Sequence, residues 1–166
     1  MGERQWMKVP EFTYEPRDLR YQERTTKLFY SMPFVRHLGL EIVSVAPGQL
    51  DCAVTLVSAL TQQHGFGHAG LVATMVDMSA GVACYTLIGP DQDALSSGVS
   101  ISLLRPAKGE RLVARGRVIK AGRTQSYAES WVFGVTGDRE TLVARGHTAI
   151  AIVSSADKRL DLSRNK

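Results

Sequence analysis

The sequence predicts an α+β protein in which an antiparallel sheet of about six strands wraps around one long central helix, after a short helical segment at the N-terminus. Three observations predict this arrangement. The longest apolar run, at 69–88, has the length of a buried helix and closes at Gly89-Pro90. Strand-sized apolar segments with short connections flank this run, and small residues share one face of two consecutive strands.

The N-terminal part differs from the rest of the chain. Residues 17–31 are predicted to form an amphipathic helix with Leu19, Leu28 and Phe29 as its apolar contacts, ended by Pro33. We therefore divide the chain into a helical prelude at 1–38, a main domain at 39–153 and a mobile polar tail at 154–166.

Six segments have the length and apolar content of β-strands. A hairpin around a Pro47-Gly48 turn opens the series, and four strands with short antiparallel connections follow the central helix. The predicted strands are 40–45, 50–57, 95–104, 112–119, 126–135 and 142–153.

Two of these strands leave room for the central helix. Small residues alternate with bulky ones along both strands, so one face of each carries little side-chain volume. The residues of this face are Leu112, Ala114, Gly116 and Val118 on one strand and Ser126, Ala128, Ser130, Val132 and Gly134 on the next. The apolar helix is expected to lie against this face.

Composition bounds the class of protein. The 166 residues, 44% hydrophobic and 22% charged, suit one globular domain. Cys52 and Cys84 form no paired CxxC, so we expect two reduced core cysteines and no structural metal. His64 and His68 are four apart, but Gly65 and Gly67 disfavour the regular helix that a metal-binding pair would need. The N-terminus lacks the apolar stretch of a signal peptide, which predicts a cytoplasmic protein.

Asp77 lies at the centre of the apolar run and is the only formally charged residue between Asp51 and Asp91. A central Asp costs about 2.5–3.5 kcal/mol in a membrane span, so we expect a buried helix of a soluble domain and no membrane association. An Asp among apolar residues is a candidate functional group. The alternative is a structural Asp77, hydrogen-bonded to Thr74, Ser79 or backbone groups.

The segment 62–70, Gln-Gln-His-Gly-Phe-Gly-His-Ala-Gly, followed by Asp77, resembles the signature of PaaI-type hotdog-fold acyl-CoA thioesterases. Segments 104–109 and 118–124 resemble the same family. Gln62 stands where the family has Asn, and Ala69 replaces the middle residue of His-Gly-Gly. The resemblance covers about 39–153 and implies a hotdog fold and hydrolysis of an acyl-CoA to free acid and CoA.

Thioester hydrolysis needs a polarised carbonyl and an activated water or a nucleophilic carboxylate. Asp77 supplies the base or nucleophile, and the N–H groups of Ala69 and Gly70 at the helix start supply oxyanion donors. The resemblance implies that Gln62 orients the water or the thioester oxygen. His68 is expected to cap or fix the loop with its ring bonded to the backbone.

Helix geometry separates these groups. Asp77 lies eight residues beyond Ala69, which is about 12 Å along the axis, whereas reacting groups converge within about 3–3.5 Å. We therefore predict that the helix start of one protomer meets Asp77 of a second in a homodimer, or in a dimer of such dimers. The resemblance implies the same shared site.

Basic residues are concentrated in the second half, and the formal net charge is +4. The turn formed by Lys120, Gly122, Arg123 and Thr124 suits the phosphates of coenzyme A, and the resemblance implies that nucleotide contact. Ser96 and Arg105 are assigned to the same substrate or CoA contacts. Coenzyme A is part of the substrate, so no separate cofactor is predicted.

Other basic residues have a simpler explanation. Arg115 and Arg117 are expected to pair with Glu129 on the neighbouring strand. Basic residues lack the interleaved aromatics of single-strand binders, so we expect no nucleic-acid partner.

Two other functions remain open on the same fold. One is a non-catalytic acyl-CoA-binding sensor. The other is a hydratase or dehydratase that uses His68 as its base beside the carboxylate.

Overall fold

The computed structural model describes residues 8–156 and contains three α-helices and six β-strands. In chain order they are α1 (Tyr21–Ser31), α2 (Pro33–Leu38), β1 (Glu41–Ala46), β2 (Gln49–Thr55), α3 (Ala69–Tyr85), β3 (Gln92–Leu103), β4 (Arg111–Lys120), β5 (Gln125–Thr136) and β6 (Arg139–Ser154). Residues 157–166 of the predicted tail lie outside the described residues.

The six strands form one antiparallel sheet in the order β1-β2-β4-β5-β6-β3. Helix α3 packs across one face of this sheet and contacts every strand from β2 to β6. The predicted α+β architecture, with a sheet wrapped around one central helix, is therefore confirmed. The edge strands are β1 and β3.

The small-residue face of the sheet determines how closely α3 approaches. A Cβ added at Gly116 would overlap the backbone carbonyl of Ser79, and one added at Gly146 would overlap Val76. The hydroxyls of Ser79 and Ser130 lie 2.6 Å apart in a buried hydrogen bond. Glycine and serine therefore let the helix backbone rest almost directly on the strands.

Helix α3 ends earlier than its apolar run predicts. The backbone N–H groups of Thr86 and Leu87 donate to carbonyls three residues back, so the last turn tightens and the helix ends at Tyr85 rather than at 88. The Thr86 hydroxyl donates to the Ala83 carbonyl and accepts from the N–H of Gly48. This threonine ties the end of the helix to the β1–β2 turn.

The N-terminal segment contains two helices instead of the single helix predicted at 17–31. Helix α1 begins at Tyr21, and Pro33 starts α2 rather than simply ending α1. Leu19, predicted as an apolar contact, is 92% exposed because it precedes the helix, whereas Phe29 is fully buried in the main core. Gly39 ends α2 with φ 71°, a left-handed conformation that favours glycine.

The ion pairs on the sheet differ from the predicted ones. Arg115 binds Glu140, Arg117 binds Asp51, and Glu129 binds Arg145. The predicted pairing of both arginines with Glu129 is wrong. The strand order explains this result, because β2 and β6 place other carboxylates and cations beside β4 and β5.

Candidate active site

Asp77 lies in the middle of α3 and receives a hydrogen bond from the Ser96 hydroxyl, with 2.6 Å between Oγ and Oδ1. Ser96 belongs to β3, whose register with β6 shifts between Ser96 and Gly98. Such a bulge adds one residue and re-aims its neighbours. The structure therefore brings together Asp77 and Ser96, two residues that the sequence prediction assigned to separate roles.

The two side-chain partners predicted for a structural Asp77 make other hydrogen bonds. The Thr74 hydroxyl donates to the Gly70 carbonyl, and the Ser79 hydroxyl bonds Ser130 and the Val76 carbonyl. Both predicted partners are thus engaged elsewhere. Asp77 itself is only partly buried, and it borders a cavity.

This cavity has a volume of about 270 Å³ and carries mostly apolar side chains. Met78 and Tyr85 line it, whereas Met75 is fully buried in the core. Leu28 and Met32 also line the cavity and were missed as site residues. Leu28 belongs to α1 and Met32 follows its last residue, so no helical spacing in the sequence marks the two as a shared wall.

The loop at 62–68 is held in place by backbone hydrogen bonds. The Gln62 N–H donates to the Phe66 carbonyl at 2.8 Å, and the Gly67 N–H donates to the Ala107 carbonyl at 2.8 Å. The side-chain oxygen of Gln62 accepts from the His64 N–H at 2.6 Å. This bond orients the amide so that its NH₂ group is the end left to donate another hydrogen bond.

His68 caps α3, as predicted. Its Nδ1 accepts a hydrogen bond of 2.9 Å from the Gly70 N–H. The Gly70 amide is therefore occupied, and of the two predicted oxyanion donors only the Ala69 N–H has no acceptor among residues 8–156. The missing side chain of Gly70 makes room for the His68 ring, since an added Cβ would lie 3.0 Å from Nδ1.

Gln62 and Ala69 border a second cavity, of about 400 Å³, together with Phe66 and Arg105. The guanidinium of Arg105 donates to the Leu142 carbonyl at 2.9 Å. No described residue lines both this cavity and the one beside Asp77. Within one chain the structure thus does not bring the carboxylate and the helix start together.

The basic turn between β4 and β5 lies at the Asp77 end of the sheet. The Gly122 N–H donates to the Ser126 hydroxyl, and the Thr124 carbonyl accepts from the N–H of Ile152, which pairs with Ala94 on β3. Lys120 and Arg123 are exposed. The cations therefore lie close to the strand that carries Ser96, whereas Arg105 belongs to the other cavity.

Burial raises the pKa of both cysteine thiols to about 12. Cys52 and Cys84 are free and buried, so both belong to the core, as predicted. Among residues 8–156, no group of three or more His, Cys, Asp or Glu side chains is placed to hold a metal ion. No helix in that part of the chain is both long and apolar enough to cross a membrane.

Comparison with known proteins decides the family. The Thioesterase superfamily profile matches residues 64–138. Acyl-coenzyme A thioesterase 13 of Homo sapiens is 34% identical over 98 residues, which cover 57% of this chain and 68% of that protein. The Mus musculus protein of the same name is 32% identical over 128 residues, covering 74% of this chain and 88% of its own length. The chain belongs to the thioesterase superfamily.

Its fold is the hotdog fold of that superfamily. A thioesterase family protein from Silicibacter pomeroyi superimposes with a TM-score of 0.79 at 30% identity, over 81% of this chain and 98% of that one. Relatives named acyl-coenzyme A thioesterase and a solved thioesterase family structure support a thioester hydrolase, so the predicted family, fold and enzyme class are confirmed. The matched region begins at His64 and includes His68, Ala69, Asp77 and Ser96.

Proposed function

We propose that this protein hydrolyses an acyl-CoA thioester to a free acid and CoA. The observation that carries the proposal is the carboxylate of Asp77, hydrogen-bonded to Ser96 and bordering an apolar cavity in a member of the thioesterase superfamily. The cavity receives the acyl chain, and the carboxylate lies where its thioester end would be. Acyl-CoA thioesterase 13 is a relative whose name states this activity.

Asp77 acts as the general base. Ser96 occupies Oδ1, which leaves Oδ2 to take a proton from water as that water adds to the thioester carbonyl carbon. The carbon–sulfur bond then breaks, the thiolate of CoA leaves, and the proton returns to the sulfur. The alternative is direct attack by Asp77, which expels the thiolate and forms a mixed anhydride. Attack of labelled water on the Asp77 carbonyl carbon of that anhydride would release the acid and leave heavy oxygen in the Asp77 carboxylate after a single turnover.

The oxyanion of the intermediate is stabilised by a second copy of the chain. The Ala69 N–H and the Gln62 NH₂ are the donors, since the Gly70 amide is held by His68. Ala69 and Asp77 of one chain lie about 12 Å apart along α3, so a twofold dimer is needed to join the two halves. A dimer of such dimers satisfies the same requirement.

The edge of the sheet supports this dimer. Leu95, Val99 and Leu103 on the edge strand β3 are 40%, 45% and 57% exposed. An exposed apolar edge strand is an aggregation hazard that pairing with another copy removes. The strand also carries Ser96, so such pairing would bring the second copy to the Asp77 cavity.

The phosphates of CoA bind to basic residues from both halves of the shared site. Lys120, Gly122, Arg123 and Thr124 accompany Asp77, and Arg105 accompanies Gln62 and Ala69 of the second copy. The dimer therefore combines two groups of cations that are far apart in one chain. Buried free cysteines accord with a cytoplasmic location, which is part of this proposal.

The test is release of free thiol from acyl-CoAs by wild type and by Asp77→Asn. We expect kcat to fall by about 10²–10⁴ in Asp77→Asn. Asp91→Asn, which makes the same chemical change at an exposed position, is the matched control and should keep full activity. Full activity of Asp77→Asn would exclude the proposed base, and binding of acyl-CoA without hydrolysis by wild type would favour the sensor.

A further inference from the structure

The cavity beside Asp77 has one wall that comes from outside the sheet and the central helix. Leu28 of α1 and Met32, directly after it, line the cavity opposite Met78, Val82 and Tyr85 of α3. Leu28 lies in the last turn of α1 and Met32 is its C-cap residue, so the end of α1 brings both side chains to the cavity. The position of α1 therefore sets the depth of the cavity.

Arg24 attaches α1 to the end of α3. Its Nη1 donates to the Gly89 carbonyl at 2.8 Å, and its Nη2 donates to the Ile88 carbonyl. These carbonyls follow the helix and lack helical partners. The guanidinium also lies 4.6 Å from the ring centroid of Tyr85, a residue that lines the cavity.

Asp18 holds the guanidinium in this position. Its Oδ2 lies 3.1 Å from Nε of Arg24, and the side chains are 11% and 18% exposed. Removing one partner of a largely buried ion pair lowers the free energy of unfolding, because the other charge is left buried without compensation. Arg24 thus connects α1, the end of α3 and the cavity wall at a single point.

Two further contacts fix the other side of α1. Phe29 is fully buried in the main core, and the Tyr30 hydroxyl accepts a hydrogen bond of 3.1 Å from the Ile42 N–H. The helix is therefore anchored on both sides of the Leu28–Met32 face. The wall has a defined position even though α1 lies outside the sheet.

The size and charge of the cavity select the acyl group. Its volume is about 270 Å³. At about 30 Å³ per heavy atom, the share of one water molecule in the liquid, this volume holds about nine heavy atoms. Asp77 and Asp93 are among the described residues that line it, whereas no described lysine or arginine lines it. The nearby guanidinium of Arg24 is engaged by Asp18 and by two backbone carbonyls. An anionic acyl group would therefore meet two carboxylates.

We propose that α1 is the far wall of the acyl pocket and that Arg24 holds this wall in place, which selects neutral acyl groups of about nine heavy atoms or fewer. The inference rests on the proposed thioesterase function. Leu28 and Met32 are then specificity-determining residues, and Arg24 is a positioning residue.

The first test changes the wall itself. Free-thiol release is measured on acetyl-, butanoyl-, octanoyl- and palmitoyl-CoA. Met32→Trp should lower the ratio of octanoyl- to butanoyl-CoA kcat/KM about tenfold or more, because the indole fills the far end of the pocket. Leu28→Ala should raise the ratio of palmitoyl to octanoyl hydrolysis. Wild-type chain-length profiles in both variants would overturn the proposal.

The second test removes the attachment. Arg24→Gln should lower the ratio of octanoyl- to palmitoyl-CoA kcat/KM about tenfold. This change should lie in the KM values, and kcat for butanoyl-CoA should stay at the wild-type value. Arg24→Lys should recover part of this preference. Arg36→Gln is the matched control, since Arg36 also donates to two backbone carbonyls, of Tyr30 and Ser31, but does not line the cavity. An equal loss for all chain lengths in Arg24→Gln would overturn the positioning role.

A binding measurement separates this inference from the proposed function. In Asp77→Asn, dissociation constants of butanoyl-, octanoyl- and palmitoyl-CoA report on the pocket without turnover. If octanoyl-CoA binds most tightly and Met32→Trp weakens its binding, the role of α1 as the pocket wall is supported. This result does not depend on whether the wild type hydrolyses the ligand. Equal affinities for all three would overturn the wall, and failure of wild type to hydrolyse any acyl-CoA would overturn only the proposed function.

Discussion

The Ser96 hydroxyl lies 2.6 Å from Oδ1 of Asp77, so a hydrogen bond joins the edge strand β3 to the middle of α3. The hydrogen bond fixes the position of Oδ1. Because the carboxylate is planar, it also sets the orientation of Oδ2. The position of the proposed base thus depends on a strand that is 19 residues away along the chain.

Ser96→Ala should lower kcat about tenfold while leaving the fold intact, because the carboxylate loses one charge-assisted hydrogen bond and its fixed orientation. Free-thiol release at saturating acyl-CoA measures this effect. Ser97→Ala is the matched control, since the Ser97 hydroxyl donates to the Ala149 carbonyl instead. Equal losses in the two variants would show that the effect comes from the strand and not from Asp77.

A mixture of two inactive variants should recover activity if the site is shared. Asp77→Asn and Gln62→Ala damage opposite halves, so a randomly mixed dimer contains one intact site and one doubly damaged site. Unfolding and refolding the variants together should restore about a quarter of wild-type activity. Activity no higher than that of either variant alone would exclude the shared site.

Replacing Lys120 and Arg123 together by glutamine should raise KM for acyl-CoA about tenfold, because two cations near the phosphates are lost. The thioester of N-acetylcysteamine, which has no phosphate, should be hydrolysed at an unchanged rate. The control is the double variant Lys8→Gln, Arg36→Gln, which also removes two positive charges from exposed positions. Its KM for acyl-CoA should equal that of the wild type. A rise in KM for both thioesters would contradict the assigned phosphate contact.

Gly116→Ala should destabilise the protein by about 3 kcal/mol or more, because its Cβ would overlap the Ser79 carbonyl and push α3 from the sheet. Urea unfolding followed by circular dichroism measures the change. Gly89→Ala is the control, since a Cβ there meets nothing closer than 3.6 Å. Similar stabilities of the two variants would mean that the helix can move away at little cost.

Stability should fall as pH rises above about 9. Burial raises the pKa of Cys52 and Cys84 from 9.0 to about 12, with the Asp51 charge as a smaller cause at Cys52. Between these pH values the unfolded thiols lose protons that the folded thiols keep, so each thiol lowers the free energy of unfolding by about 1.4 kcal/mol per pH unit at most. Urea unfolding of Cys52→Ala and Cys84→Ala should show a shallower decline than wild type, and an unchanged slope would contradict the shift.

The elements of the fold were predictable because each has a local pattern. The apolar run at 69–88 has the length of a helix, and the alternation at 112–118 has the period of a strand. Asp77 stood out as a candidate because a charge in such a run is costly, and the His68 cap was predictable because His68 precedes the helix. Spacing along α3 was sufficient to separate Asp77 from Ala69, since helical rise is constant.

Contacts between distant segments had no such pattern. The partners of Arg115 and Arg117, the bond from Ser96 to Asp77 and the approach of Leu28 to the cavity all join residues far apart in the chain. These contacts depend on the order of the strands, the bulge in β3 and the attachment of α1. Sequence alone determined which residues share a face within each strand and within α3, because backbone geometry sets the periods of helices and strands. Tertiary packing alone decided which of them meet, because strand order and bulges lower the free energy of the whole sheet and not of any single segment.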